Sequence, residues 1–80
     1  MFRLTKDEGA AVEFAGLEPW ELEDAVNESD FLNLETFIES IEGIIKTIKG
    51  KLDYALIDNL KTVREELVYW MEKKYMEVVA

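Results

Sequence analysis

Cysteine and histidine are both absent from this chain, and its single proline and four glycines are scattered over 80 residues. Without cysteine there is neither a disulfide framework nor a thiolate metal site. Without histidine the chain lacks the commonest general base and the commonest transition-metal ligand. Long apolar runs are missing as well: nothing approaches the roughly 20 residues that span a bilayer. The opening MFRLTKDEGA has no continuous apolar segment of the kind that signal peptides carry. These absences predict a soluble, cytoplasmic protein with no membrane association.

A more informative shortage is positive charge in one half of the chain. Between Lys6 and Lys46 lie Asp7, Glu8, Glu13, Glu18, Glu21, Glu23, Asp24, Glu28, Asp30, Glu35, Glu39 and Glu42, with no lysine or arginine among them. From Lys46 onward Lys46, Lys49, Lys51, Lys61, Arg64, Lys73 and Lys74 face Asp53, Asp58, Glu65, Glu66, Glu72 and Glu77, which is close to balance. A net charge of −9 repels phosphates and anionic membranes. A basic protein surface is the partner such a charge attracts, and asymmetry between halves is a hint of an interaction surface.

Apolar residues make up 49% of the chain, enough for one small domain with a modest core. An all-α fold is expected over residues 1–80, dominated by a long antiparallel helical hairpin at about 31–49 and 52–78 and preceded by one or two short helices. Residues 2–15 fit two patterns. As a helix, Thr5 is the N-cap, Glu8 completes a capping box and Gly16 supplies the left-handed stop. As a β-hairpin, Phe2 and Leu4 alternate with polar residues, Asp7, Glu8 and Gly9 turn, and Val12 and Phe14 return. The alanines favour the helix. Pro19 suits the first position of a second short helix, with Leu22, Ala25, Val26 and Trp20 as its inward residues. Asn27, Ser29 and Asp30 supply the turn and the next cap.

In the hairpin, Leu34, Phe37, Ile38, Ile41, Ile44, Ile45 and Ile48 repeat at spacings of three and four, giving one broad apolar stripe. Gly43 interrupts that helix and costs stability unless another backbone packs against it. Gly50 ends it. In the last helix Leu52, Leu56, Leu60, Val63, Leu67 and Trp70 form one stripe, and Tyr54, Ile57, Val68, Met71, Tyr75 and Val78 form a second. The last helix outruns its neighbour by about 12 Å at 1.5 Å per residue. Val68, Trp70, Met71, Tyr75 and Met76 are therefore expected to be partly bare and to form a homodimer interface.

No catalytic constellation is present. NESDFLNLETFIE lacks the ligand spacing and the glycine of a calcium loop. Glu39 and Glu42 supply the first E-x-x-E pair of a magnesium-dependent helical pyrophosphohydrolase, but the second pair is missing because Val68 follows Glu65 at the third position. Ser29 and Ser40 have no histidine to activate them. The glycines form no phosphate loop, and Tyr69, Trp70 and Tyr75 sit among acids that oppose nucleic-acid stacking. The expectation is a protein that is not an enzyme and uses no metal or cofactor.

Helix rules explain many of the acids. Glu35, Glu39 and Glu42 precede Lys46 and Lys49 along one helix, as the macrodipole favours, Glu42 and Lys46 make an i,i+4 pair, and Asp30 caps. These rules do not explain why lysine and arginine are missing, because a surface selected for solubility mixes both signs. Glu35, Glu39 and Glu42 rise by about 6 and 4.5 Å along the axis, comparable with the roughly 3.4 Å rise and helical offset of phosphates on one DNA strand. Small acidic proteins that disable host DNA-binding or defence proteins occur among phage and mobile-element products, and this chain is similar to them in size and charge alone. The sequence thus predicts a noncatalytic inhibitor or DNA-mimic decoy that binds a basic protein surface, such as that of a DNA-binding protein. Its expected contacts are Glu21, Glu23, Asp24, Glu28, Glu35, Glu39 and Glu42. The alternative is a homo-oligomeric helical adaptor or assembly subunit that works through the apolar last helix, its acids serving only solubility.

Overall fold

The computed structural model describes residues 1–48 and 54–79, with side chains through residue 77. Four helices follow one another among the described residues: α1 (Lys6–Phe14), α2 (Pro19–Asn27), α3 (Phe31–Ile48) and α4 (Tyr54–Val79). No strand occurs among the described residues, so the fold is all-α. Lys49, Gly50 and Leu52, with the expected end of the third helix and start of the fourth, lie outside the described residues, as does the Val78 side chain.

The ambiguity at residues 2–15 resolves in favour of the helix. The Glu8 amide donates to Thr5 Oγ1 at 3.2 Å and the Thr5 amide donates to Glu8 Oε1 at 2.8 Å. This reciprocal box satisfies two amides that a helix start would otherwise leave bare. A hairpin would place Val12 and Phe14 on one face, yet Val12 is fully buried and Phe14 is 64% exposed.

Both short helices end in the same way. After α1, Leu17 N–H donates to Val12 O and Gly16 N–H to Glu13 O, with Gly16 at φ 83°. After α2, Asp30 N–H donates to Ala25 O and Ser29 N–H to Val26 O, with Ser29 at φ 57°. Each is a Schellman turn that satisfies the last carbonyls and requires a left-handed residue. Glycine adopts that conformation without steric penalty, whereas serine does so at a cost.

Ahead of α1, the N-terminal segment is pinned to α2 by side chains. The Phe2 amide donates to Asn27 Oδ1 at 2.8 Å, Asn27 Nδ2 donates back to Phe2 O at 3.2 Å, and the Leu4 amide donates to Glu23 Oε2 at 2.9 Å. The pinning carries the Phe2 ring into the core, where it meets Trp70 edge-on with centroids 6.1 Å apart. Part of the α4 overhang, read from the sequence as bare, is covered by the chain's own beginning.

Pro19 opens α2, and Leu22, Ala25 and Val26 are buried. The expectation for Trp20 is corrected: it is 57% exposed and its indole N–H donates to Glu18 Oε2 at 3.1 Å. Two positions separate it from Leu22, a rotation of about 200°, so the residue lies on the far side of the helix. Asp30 opens α3, accepting the Asn33 amide at Oδ1 (3.3 Å) and the Leu34 amide at its carbonyl (2.9 Å).

The long hairpin α3–α4 is the frame of the molecule, with α1 against α4 and α2 against α3. Leu34, Ile38 and Ile41 from α3 meet Leu60, Val63 and Leu67 from α4, and Ala11, Val12, Leu22, Ala25 and Val26 close the core from the short helices. The body measures 43 × 21 × 16 Å, its length set by α4. None of the helices described is long and apolar enough to cross a membrane.

Candidate functional site

α3 divides the acidic face expected from the sequence. Residues 35 and 37 are about 200° apart around its axis, so they open onto opposite flanks. Phe37 and Asn33 line a groove toward α2 together with Trp20, Glu21, Asp24 and Glu28. Glu35 belongs instead to a groove toward α4. The seven acids expected as contacts therefore do not share one surface.

Glu21, Asp24 and Glu28 are brought together. All three are exposed on α2 or its C-cap and line the α2–α3 groove, with Asp30 at its end. They occur at i, i+3 and i+7, rising by about 4.5 and 6 Å along the helix. No lysine or arginine lines this groove. Trp20 and Phe37 give it aromatic edges, which suit a lysine or arginine side chain through cation–π contact.

The other four acids are placed differently. Glu23 is half-buried and accepts from the Leu4 amide, so it fixes the N-terminal segment. Glu39 is exposed on α3. Glu42 lies 3.7 Å from Arg64 Nη1 of α4 in an ion pair. Glu35 borders an apolar groove lined by Phe31, Leu32, Met71, Glu72 and Tyr75. Tyr75 also touches Phe31 edge-on, with ring centroids 6.0 Å apart.

Of the residues expected at a dimer interface, Val68, Trp70 and Met71 are half-buried and packed on the core, while Tyr75 and Met76 are 55% and 61% exposed. Trp70 is occupied within the chain. Besides Phe2 it meets Tyr69 at 5.7 Å, and the Lys73 and Lys74 ammonium groups lie 4.7 and 6.0 Å from its ring centroid.

One titratable pair forms between residues far apart in the sequence. Glu8 is buried at 5% exposure and meets Glu66 of α4. Burial pushes the Glu66 carboxyl up to about 7, helped by its hydrogen bond with Glu8 and by Glu8's charge. Burial opposes ionisation of Glu8 too, but hydrogen bonds from Glu66 and Thr5 outweigh it and hold that carboxyl below its ordinary value. Of the two carboxyls, Glu66 is the one held protonated to higher pH. The position of Glu66 between Val63 and Trp70, three and four residues away, carried a signal of this burial. Among the described residues no group of three or more carboxylates is placed to hold a metal ion.

Compared with protein-family models, with curated proteins and with solved structures, the chain matches none.

Proposed function

We propose that this protein is a noncatalytic binding module that takes a basic protein surface against its α2–α3 groove, as a decoy for nucleic acid on a nucleic-acid-binding partner. The observation that carries this reading is the lining of the groove: Glu21, Asp24, Glu28 and Asp30 beside Trp20 and Phe37, with no basic residue among them. Asp24 and Glu28 stand where the helix would have tolerated a basic side chain, whereas Glu21 lies in the first turn of α2 and Asp30 caps α3. A one-signed groove raises the local concentration of basic groups and speeds their association. The carboxylate row on α2 repeats at a spacing of the same order as backbone phosphates, and it is free of internal ion pairs among the described residues.

The reading is tested by reversing the row. Glu21→Lys, Asp24→Lys and Glu28→Lys together leave the core untouched, since all three side chains are exposed. The triple variant should keep the helical circular-dichroism spectrum and lose capture of partners from a lysate of the source cell. Undiminished capture by the triple variant would refute the assignment of this groove.

A further inference from the structure

A second groove lies at the end of the hairpin where α3 begins and α4 finishes. Phe31 and Leu32 come from the first turn of α3, Met71 and Tyr75 from α4, and Glu35 and Glu72 border it. Its volume is about 440 Å³, in the range of roughly 300–1,000 Å³ typical of pockets that receive apolar groups. Leu32 is 77% exposed and Tyr75 55% exposed, so the apolar wall is open to an incoming side chain. Below it along α4, a depression lined by Arg64, Glu65, Val68 and Tyr69 shares Glu72 with the groove. The two make one strip along the helix.

The charges on this strip decide what fits. Glu35, Glu65 and Glu72 form no salt bridge among the described residues. Arg64 lines the lower depression while its Nη1 pairs with Glu42, and the Lys73 and Lys74 ammonium groups lie over the Trp70 ring. Around Phe31, Leu32, Met71 and Tyr75 the wall is apolar, and its border, Glu35 and Glu72, is negative and unpaired among the described residues. A second copy of this chain would bring like charge to like charge, because a two-fold interface sets each patch against itself.

We infer that this strip is a docking site for an amphipathic helix bearing large apolar residues at i, i+3 or i+4, and i+7, flanked by lysine or arginine. The apolar residues seat against Phe31, Leu32, Met71 and Tyr75, and the basic flanks meet Glu35 and Glu72. This is the helix-in-groove mode, in which apolar anchors give affinity and the charged border gives orientation and selectivity. Methionine in the wall lets it adapt to different anchors. The strip faces away from the α2–α3 groove across α3, so the inference stands on observations separate from the proposed function.

The test is a selection of displayed random 16-residue peptides on the wild-type protein, with bound sequences sorted by their dependence on two variants. Leu32→Glu places a charge in the groove at an exposed position and leaves the core intact, and Glu72→Lys reverses the border. Enriched peptides should show the i, i+3 or i+4, i+7 apolar pattern and net positive charge. They should bind Leu32→Glu at least about tenfold more weakly, the loss expected for a central anchor contact. They should bind Glu72→Lys about three- to tenfold more weakly at low salt, with a smaller difference at high salt. The α2 triple reversal should leave their affinity within about twofold. Enriched peptides without positive charge, or indifferent to Leu32→Glu, would overturn the inference, as would a failure to enrich any. So would a native dimer that Leu32→Glu dissociates. Peptides that lose binding only with the α2 reversal would overturn it while leaving the proposed function standing.

Discussion

Glu8 and Glu66 meet carboxyl to carboxyl where α1 packs on α4, and the contact raises one and lowers the other. The same Glu8 side chain closes the capping box with Thr5, so a single carboxylate joins the start of one helix to the flank of another. The Glu66 carboxyl ordinarily titrates near 4.5 and in the fold near 7. The folded state therefore retains a proton that the unfolded chain has released, and the stability this contributes is complete below about 4.5 and lost as pH rises through about 7. Glu8, held low, contributes in the other direction: its share is present above 4.5 and is lost on further acidification. Urea unfolding between pH 5 and 8 should show stability declining with pH. Glu66→Gln, whose amide donates to Glu8 without titrating, should flatten that slope and raise stability at pH 8 by roughly 1 kcal/mol. An unchanged slope in the variant would show that Glu66 does not set the pH dependence.

Gly43 lies within α3, exposed, and a Cβ built there would meet nothing within 4 Å. No neighbouring backbone needs the space, so the residue contributes only the flexibility of the unfolded chain. Gly43→Ala should stabilise the protein by about 1 kcal/mol, raising Tm by roughly 4–8 °C for a domain of this size. Thermal unfolding by circular dichroism checks it, and a lowered Tm would mean that position 43 is packed in a way the fold does not show.

Ser29 and Gly16 occupy equivalent positions in two Schellman turns, at φ 57° and 83°. The residue types should exchange with opposite signs. Ser29→Gly should stabilise by about 1 kcal/mol, and Gly16→Ala should destabilise by about 1–2 kcal/mol, the cost of a side chain in the left-handed region. Denaturant midpoints of the two variants should move in opposite directions. A shift in the same direction would contradict the assignment of the turns.

The helices were legible because their signals are local. Thr5 and Glu8 three residues apart, Pro19 at a helix start, Asp30 before an apolar stripe and the isoleucine run of α3 each act through neighbours in sequence. The division of the acids was not legible, because it depends on where α2 and α4 lie around α3. Glu35 and Glu42 carry the same sequence signature as Glu39, yet one borders an apolar groove and another pairs with Arg64. Trp20 differs: its rotation of about 200° from Leu22 was readable in the sequence and already set it on the far side of α2. The seat of Phe2 on Trp70 needed the Asn27 and Glu23 hydrogen bonds that hold the N-terminal segment, and nothing in the order of residues announces those.

If the α2–α3 groove takes the place of nucleic acid on its partner, the two must compete for that partner. The most direct measurement loads immobilised protein with its captured partner and then adds duplex DNA at fixed low salt. DNA should elute the partner in a dose-dependent way, and raised salt should do the same, since DNA competes for the basic groups and salt screens them. A partner that stays bound to the wild-type protein under saturating DNA, while the Glu21, Asp24 and Glu28 reversal still abolishes capture, would contradict the decoy reading.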